Sequence, residues 1–288
     1  MRLNDFSKNI RVRDQRGGGG MGGPGGKIGC GAIVIALIGA VFFGIDPMTT
    51  LGTIDQVQQS TGPTTSDGAG ATLEESCTVN DYSRESCSAL SSLDETWAPI
   101  FAEANIDFTR PTLNFYDGVG RSGCGTAQSA MGPFYCPPDQ GIYIDTSFYD
   151  TMGRQMGAPG DFARAYVMAH EYGHHIQYLT GTANMVRQAQ QQNPRAANQM
   201  QVRMELQADC YAGVWAAKNR NLIEPGDLEE GMRAASAIGD DTLMKQSGRR
   251  VSPESFTHGS SAQRMEWLRR GLETGDEDQC DTFADVRR

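Results

Sequence analysis

Two histidines and a glutamate at the spacing of a metal-binding helix are the most informative feature of the sequence. His170, Glu171 and His174 form an HExxH motif inside residues 161–179, whose pattern predicts a helix. Residues four apart lie on one helix face, so both imidazoles can reach one tetrahedral metal ion. Glu171 would then lie beside the metal, where a base for the attacking water is needed. Three of the four histidines fall within this short stretch, which argues against chance.

A pair of carboxylates farther along the chain could complete such a site. HExxH alone is short, and a catalytic zinc needs a third protein ligand and a position open to water. Glu205 and Asp209 are four apart in a second predicted helix, residues 195–218. One carboxylate can bind the metal, and the other can accept the free N–H of a ligand histidine. A solvated acidic face is the alternative, but residues 210–215 are mostly of the kind found in protein cores.

The position of the third ligand separates the classes of zinc peptidase. The metzincin extension requires a glycine and a histidine where this sequence has Gln177 and Thr180. HExxH followed by Glu-x-x-x-Asp on a later helix resembles the gluzincins, and among them the bacterial family of membrane-anchored neutral zinc metallopeptidases. The resemblance covers most of the chain after residue 76. It rests on HEYGHHIQ at 170–177, ELQADCYAG at 205–213, CGTAQSAMGPFYCPPDQGIYID at 124–145 and ESFTHGSSAQR at 254–264.

This resemblance implies a site and a fold. By it, His170, His174 and Glu205 would bind one zinc ion (Zn2+), Glu171 would be the catalytic base, and Asp209 would support a ligand histidine. The implied fold is an α+β, helix-rich, gluzincin-like metallopeptidase domain with a small antiparallel sheet that covers the active-site helix.

The edge of that sheet could bind an extended peptide substrate. Strands are predicted at residues 112–116 and 141–145, with a hairpin-like unit between them. By the resemblance, an edge strand would pair with the substrate main chain, which would give broad specificity. Residues 127–132 are the candidate edge, although a loop closed by a disulfide fits this segment equally well.

The two remaining histidines lie outside the proposed ligand set. His258 lies just before the last predicted helix, in a Thr-His block that a related family of integral-membrane gluzincins shares, together with a following arginine matched here by Arg264. It could donate to a developing oxyanion or act as a fourth ligand, or it could bond to backbone at the helix entry. His175 is rotated by about 100° from His174 and should face away from the metal. The candidate oxyanion donors are Tyr166, Tyr172, Tyr211 and His258.

An uncharged run suggests a membrane anchor. Residues 28–45 contain no charge and approach the length that spans a bilayer, which predicts one transmembrane helix before the domain. A buried core helix or a cleaved signal peptide are the alternatives, but the run has neither a polar face nor a good cleavage site. The basic, glycine-rich residues 1–27 would then be a cytoplasmic tail. Residues 46–75 would be a stalk, and residues 76–288 an extracytoplasmic metallopeptidase domain of the cell envelope.

The cysteines agree with export. Six of the seven come after residue 76, an even number in the predicted outer domain. Proximity along the chain favours two pairs and leaves a third, which would tie the end of the chain to the second helix. No C-x-x-C pair occurs, so a zinc role is less favoured, and free buried thiols would be expected only in a reducing compartment. The three pairs are Cys77–Cys87, Cys124–Cys136 and Cys210–Cys280.

The prediction for function is a membrane-anchored, zinc-dependent peptidase, an endopeptidase, acting on a peptide or protein substrate. A net charge of −10 disfavours nucleic acid as a partner. One alternative is an inactive or latent metallopeptidase-like binding or chaperone protein, against which the intact Glu171 argues. Another is a zinc amidase that acts on cell-wall peptides, which the ligand residues alone do not separate from a peptidase.

Overall fold

A mixed sheet and a set of helices make up the protein in the computed structural model, which describes residues 1–17 and 71–286. The strands are β1 (Arg11–Asp14), β2 (Thr112–Phe115), β3 (Val119–Ser122), β4 (Gly125–Gln128), β5 (Phe134–Cys136) and β6 (Gly141–Ile144). The helices are α1 (Leu73–Cys77), α2 (Asp81–Glu103), α3 (Ser147–Arg154), α4 (Asp161–Leu179), α5 (Thr182–Gln192), α6 (Ala197–Lys218), α7 (Asp227–Ala237), α8 (Asp240–Gln246) and α9 (Ser261–Thr274).

The main sheet has the strand order β1-β2-β6-β5 and is mostly parallel. β1 pairs with β2 and β2 with β6 in parallel, and only β5 runs antiparallel to β6. β3 and β4 form a separate two-stranded antiparallel sheet. The structure is therefore α+β and helix-rich, but its main sheet is not the small antiparallel one that the sequence analysis predicts. Parallel pairing fits the two central strands, whose residues are almost all buried.

The first residues of the chain belong to this folded body. Strand β1 forms one edge of the main sheet, and Ile10 before it is buried in the main core. The Met1 ammonium lies 2.8 Å from a carboxylate oxygen of Asp161 and 3.0 Å from one of Asp227, at the first residues of α4 and α7. The segment predicted as a cytoplasmic tail thus supplies a strand and an ion-paired end to the domain.

This pairing overturns the predicted single-pass membrane arrangement. The predicted anchor, residues 28–45, lies outside the described residues, and within 1–17 and 71–286 no helix is long and apolar enough to cross a membrane. A single crossing between residues 17 and 71 would place β1 and β2 on opposite sides of the bilayer, where they could not hydrogen-bond. The predicted fold class with a preceding transmembrane helix, and the location with a cytoplasmic N-terminus and an extracytoplasmic domain, are therefore wrong.

Helix α4, which carries HExxH, is surrounded by α2, α6 and α7, and α6 packs in turn along α9. Glycines let these helices approach closely. A Cβ atom on Gly173 would lie 2.8 Å from the Cα of Ala208, so any larger residue would push α4 away from α6. A Cβ atom on Gly213 would lie 2.2 Å from the carbonyl oxygen of Leu268, which fixes α6 against α9 in the same way. The two helices that carry the candidate site therefore have backbones in near contact.

The helix ends follow local signals. Ser260 caps α9, and its side chain and that of Gln263 form a capping box. Gly181 follows the end of α4 with φ +80°, a conformation that a glycine adopts without strain. Asn193 makes no side-chain cap, and a short 3₁₀ turn, Pro194–Ala196, leads into α6 instead.

Replacing Ile10 with alanine is expected to lower the free energy of unfolding by about 2–5 kcal/mol, because its side chain is packed in the core. Denaturant unfolding measures this change. Val79→Ala is the control, since Val79 is 58% exposed and should change stability by no more than about 0.5 kcal/mol. Equal stability of the two variants would show that the first residues do not pack as described.

Candidate active site

The two histidines of the motif point from α4 toward α6. Their rings lie edge to face with centroids 4.9 Å apart, one helical turn from each other. His170 is buried, and His174 is partly exposed. Glu171, between them in sequence, is also buried, with 8% of its surface exposed. The helix thus presents two imidazoles and a carboxyl group at the edge of the core.

Glu205 on α6 completes a group of three potential metal ligands. Its Oε2 lies 3.1 Å from Nε2 of His170, and its Oε1 lies 3.7 Å from Nε2 of His174. One ligand atom from each of the three residues lies within 4.8 Å of the others. Two imidazoles and one carboxylate are ligands that zinc prefers, and the set leaves a fourth position for water or substrate. The residues therefore fit a zinc ion by chemistry and by proximity.

A buried network holds the other side of the His170 ring. Nδ1 of His170 lies 2.8 Å from Oδ1 of Asp209, which also accepts a hydrogen bond from the Tyr166 hydroxyl at 2.6 Å. Arg264 on α9 donates to both oxygens of Asp209 at 2.9 Å. Because Asp209 can only accept, Nδ1 of His170 carries a proton, and in the neutral ring that a metal binds Nε2 would hold the lone pair.

The charges in this site shift several pKa values. Burial lowers the pKa of His170, but the charge and hydrogen bonds of the two carboxylates outweigh it and raise the pKa to about 9. Burial would raise the pKa of Glu205, yet the neighbouring histidines hold it well below its ordinary value. Burial raises the pKa of Glu171, and the charges of His170 and His174 only partly oppose this rise. Glu171 is therefore a stronger base than an exposed glutamate.

His258 lies at the same site, on the loop before α9. Burial lowers its pKa, but a hydrogen bond from its Nδ1 to Asp240 and the charge of Glu205 outweigh this and raise it. Oδ2 of the buried Asp240 accepts from the backbone N–H groups of Thr257, His258 and Gly259 at 2.7 to 2.9 Å. Oδ1 of Asp240 lies 3.3 Å from Nδ1 of His258. The loop and the ring are thus held by one carboxylate, with Nε2 of His258 left for another partner.

The other candidate donors from the sequence analysis have different partners. His175 contacts the carbonyl oxygen of Thr109 through Nε2 at 2.6 Å and the Tyr135 hydroxyl through Nδ1 at 3.0 Å, so both of its ring nitrogens have partners outside the candidate ligand group. The Tyr172 hydroxyl donates to Asp94 at 2.8 Å. Tyr166 is committed to Asp209, and Tyr211 packs edge to face against Trp97. His258 is a candidate oxyanion donor whose pKa the charge of Glu205 raises.

Within residues 71–286, three disulfides join the six cysteines in the predicted pairs. They are Cys77–Cys87, Cys124–Cys136 and Cys210–Cys280. In the last pair, Cys210 lies on α6, one residue beyond Asp209, and Cys280 lies in the segment after α9. This disulfide therefore ties that segment to α6. The candidate peptide-binding edge, residues 127–132, is a strand end and a short turn, and its pairing with substrate stays a prediction.

Several residues that support the site are not evident from the sequence. Gln177 accepts from Nδ1 of His174, and Asp240 binds His258. The sequence suggests Tyr166 only as an oxyanion donor, whereas it bonds to Asp209. For Gln177 a signal is available, since a polar residue three positions after His174 lies on its side of the helix. Asp240 carries no such local signal, because it meets His258 only through the tertiary fold.

Comparison with known proteins agrees with this geometry. Residues 1–283 match the family described as "Putative neutral zinc metallopeptidase". The uncharacterised protein YpfJ of Escherichia coli strain K12 is 44% identical over 295 residues, which cover 99% of both chains. The uncharacterised protein Mb2605 of Mycobacterium bovis is 43% identical over 206 residues, covering 67% of this chain and 68% of the relative. No solved structure matches. The extent of these matches shows that the chain belongs to the neutral zinc metallopeptidase family, whose general class is that of zinc-dependent hydrolases.

Proposed function

We propose that the protein is a zinc-dependent peptidase in which His170, His174 and Glu205 hold one zinc ion and Glu171 is the catalytic base. The most direct support is that His170, His174 and Glu205 bring one ligand atom each close together. The buried carboxyl group of Glu171 lies on the same helix as the two histidines. Both histidines face the site through Nε2, and Glu205 keeps a low pKa, so its carboxylate is in the ionised form that a metal requires. A purely structural zinc site would not need Glu171.

The residues divide the work of peptide hydrolysis between them. Zinc, when bound, supplies Lewis-acid chemistry that lowers the pKa of water and polarises a carbonyl group. Glu171 accepts a proton from the attacking water at its carboxylate and returns it to the nitrogen of the leaving amine. Its burial raises its pKa, which makes it a better acceptor for the proton of water. Asp209, supported by Arg264, keeps His170 in the tautomer that binds metal.

His258 is the proposed donor to the oxyanion of the tetrahedral intermediate. Asp240 fixes its loop through three backbone N–H groups and accepts from its Nδ1, so Nε2 has a proton to donate in the charged ring, which the raised pKa favours. A preorganised donor of this kind stabilises negative charge that develops only in the transition state. The side chain is 24% exposed, which fits a group that meets substrate at the surface of the site.

The charged groups around the metal ligands also favour an endopeptidase. An exopeptidase holds the charged end of its substrate with an opposite charge. Arg264 is engaged by both oxygens of Asp209 and is buried, so it does not serve a C-terminal carboxylate. Glu205 and Asp209 are engaged with histidines, so they do not serve an N-terminal amine. A peptide blocked at both ends should therefore be cleaved.

Removing the metal is expected to abolish cleavage of such a blocked, quenched fluorescent peptide. Dialysis against a chelator should stop the reaction, and added zinc should restore it, with one zinc per chain by atomic absorption. His174→Ala and Glu205→Ala should fail to retain zinc after gel filtration, because each removes a ligand. Full cleavage by the zinc-free protein would disprove the proposed function.

Glu171→Gln is expected to keep one zinc per chain but to lower kcat by about 10²–10⁴-fold, since it removes the base and no ligand. The folded protein should be no less stable, because the substitution removes a carboxyl group whose ionisation is opposed by burial. Glu103→Gln is the matched control on an exposed part of α2. If both variants cleaved the blocked peptide equally well, Glu171 would not be the base.

His258→Gln is expected to lower kcat by about 10²–10³-fold with little change in KM, because the donor acts on charge that exists only in the transition state. Zinc content and thermal stability should match those of the unchanged protein. A variant that loses zinc would indicate that His258 is a ligand, and one with unchanged kcat would exclude both roles.

A further inference from the structure

A buried glutamine faces the outer nitrogen of the second metal-ligand histidine. Oε1 of Gln177 lies 2.9 Å from Nδ1 of His174, one turn along α4. Gln177 has no exposed surface, although its chemistry allows up to four hydrogen bonds. A buried amide is costly unless its partners are satisfied, so its contacts should be specific.

The partners of Gln177 determine which way its amide points. Its Nε2 lies 2.7 Å from the backbone carbonyl oxygen of Met204 and 3.1 Å from Oε1 of Gln207. A carbonyl oxygen can only accept, so the NH₂ group must face Met204 and the oxygen must face His174. Gln207 is fixed in the same way, because its own Nε2 donates to the carbonyl oxygen of Cys280 at 3.0 Å. The two backbone carbonyls thus determine which group donates and which accepts in each of these hydrogen bonds.

This order of donors and acceptors also determines the position of the ring proton of His174. Because the oxygen of Gln177 can only accept, Nδ1 of His174 must carry the ring proton, and in the neutral ring Nε2 then holds a lone pair. Nε2 is the atom on the side of Glu205, at 3.7 Å from its Oε1. We propose that Gln177, held by Gln207 and by the carbonyl of Cys280, is a positioning residue that fixes His174 in its metal-binding tautomer.

The choice of an amide, where His170 has the carboxylate Asp209, follows from the charges. Asp209 is balanced by Arg264, which donates to both its oxygens. The contacts of Gln177 are His174, a backbone carbonyl and a second amide, with no cation to balance a carboxylate among these partners. A neutral acceptor orients the ring without leaving an unpaired buried charge. This inference rests on the proposed function, since it concerns a ligand of the proposed zinc.

The zinc affinity of Gln177→Met tests this role, because methionine is close to glutamine in size and is only a weak hydrogen-bond acceptor. Competition with a chelator of known affinity should show zinc binding weakened by about 10–100-fold. Gln207→Met should weaken binding less, since it leaves the contact between Gln177 and His174 in place. Gln15→Met is the matched control, because Gln15 makes two hydrogen bonds to the backbone of Arg121 on the far strand β3.

A second measurement needs no variant. Nitrogen-15 NMR of the zinc-free, unchanged protein, at a pH where His174 is neutral, should show the ring proton on Nδ1 and none on Nε2. Unchanged zinc affinity of Gln177→Met, or the opposite tautomer of His174, would overturn the inference while leaving the proposed function standing. If Gln177→Met does not fold, the spectrum alone decides. If the unchanged protein binds no zinc, the proposed function fails and the inference fails with it.

Discussion

The ion pair between Asp209 and Arg264 is the interaction on which the candidate site depends. Both side chains are almost fully buried, and removing two charges from water costs several kcal/mol for each ion. The cost is offset because every strong hydrogen-bonding direction of Asp209 is used, by Arg264, Tyr166 and His170. Arg264 also lies within 3.3 Å of the carbonyl oxygen of Ile238 at the end of α7. This ion pair therefore connects α4, α6, α9 and the end of α7, and loss of either charged partner would leave a buried charge unbalanced.

The three neighbouring histidines of α4 have the same side chain but different partners, and these partners give them different pKa values and orientations. His170 faces a carboxylate, which raises its pKa and orients it strongly toward the ligand position. His174 faces a neutral amide, which orients the ring at little electrostatic cost. His175 is buried against a backbone carbonyl and a tyrosine, and its burial lowers its pKa to about 4, so it stays neutral and structural. Sequence spacing alone separates His175 from the other two, but the partners that tune each ring come from other elements.

Local chemistry could be predicted from the sequence, and long-range arrangement could not. The HExxH helix and the later carboxylates follow from helical spacing, so the amino-acid sequence alone is enough to name His170, His174 and Glu205. Two of the disulfide pairs follow from proximity along the chain, and the third joins the two that remain of the six cysteines after residue 76. The parallel strand β1 could not be foreseen, because nothing in Arg11–Asp14 indicates a partner about 100 residues away. The membrane prediction is wrong for the same reason. An uncharged run suggests a bilayer span, but composition does not reveal that the segments before and after it pair with each other.

The order of these contacts along the chain has a consequence for how the protein comes to be active. His170 and Arg264 are in contact although they are 94 residues apart in the sequence, and Gln207 and Cys280 are 73 residues apart. The contacts that orient the histidines therefore form only when large loops of the chain close. Helices α4 and α6 can form early from local signals, whereas contacts of such long range form late and slowly during folding. A chain that has made only the HExxH helix holds its imidazoles in no fixed tautomer and lacks the donors that orient them. By the proposed function, the site would become competent only when folding is nearly complete, which would spare partly folded copies of the chain from one another.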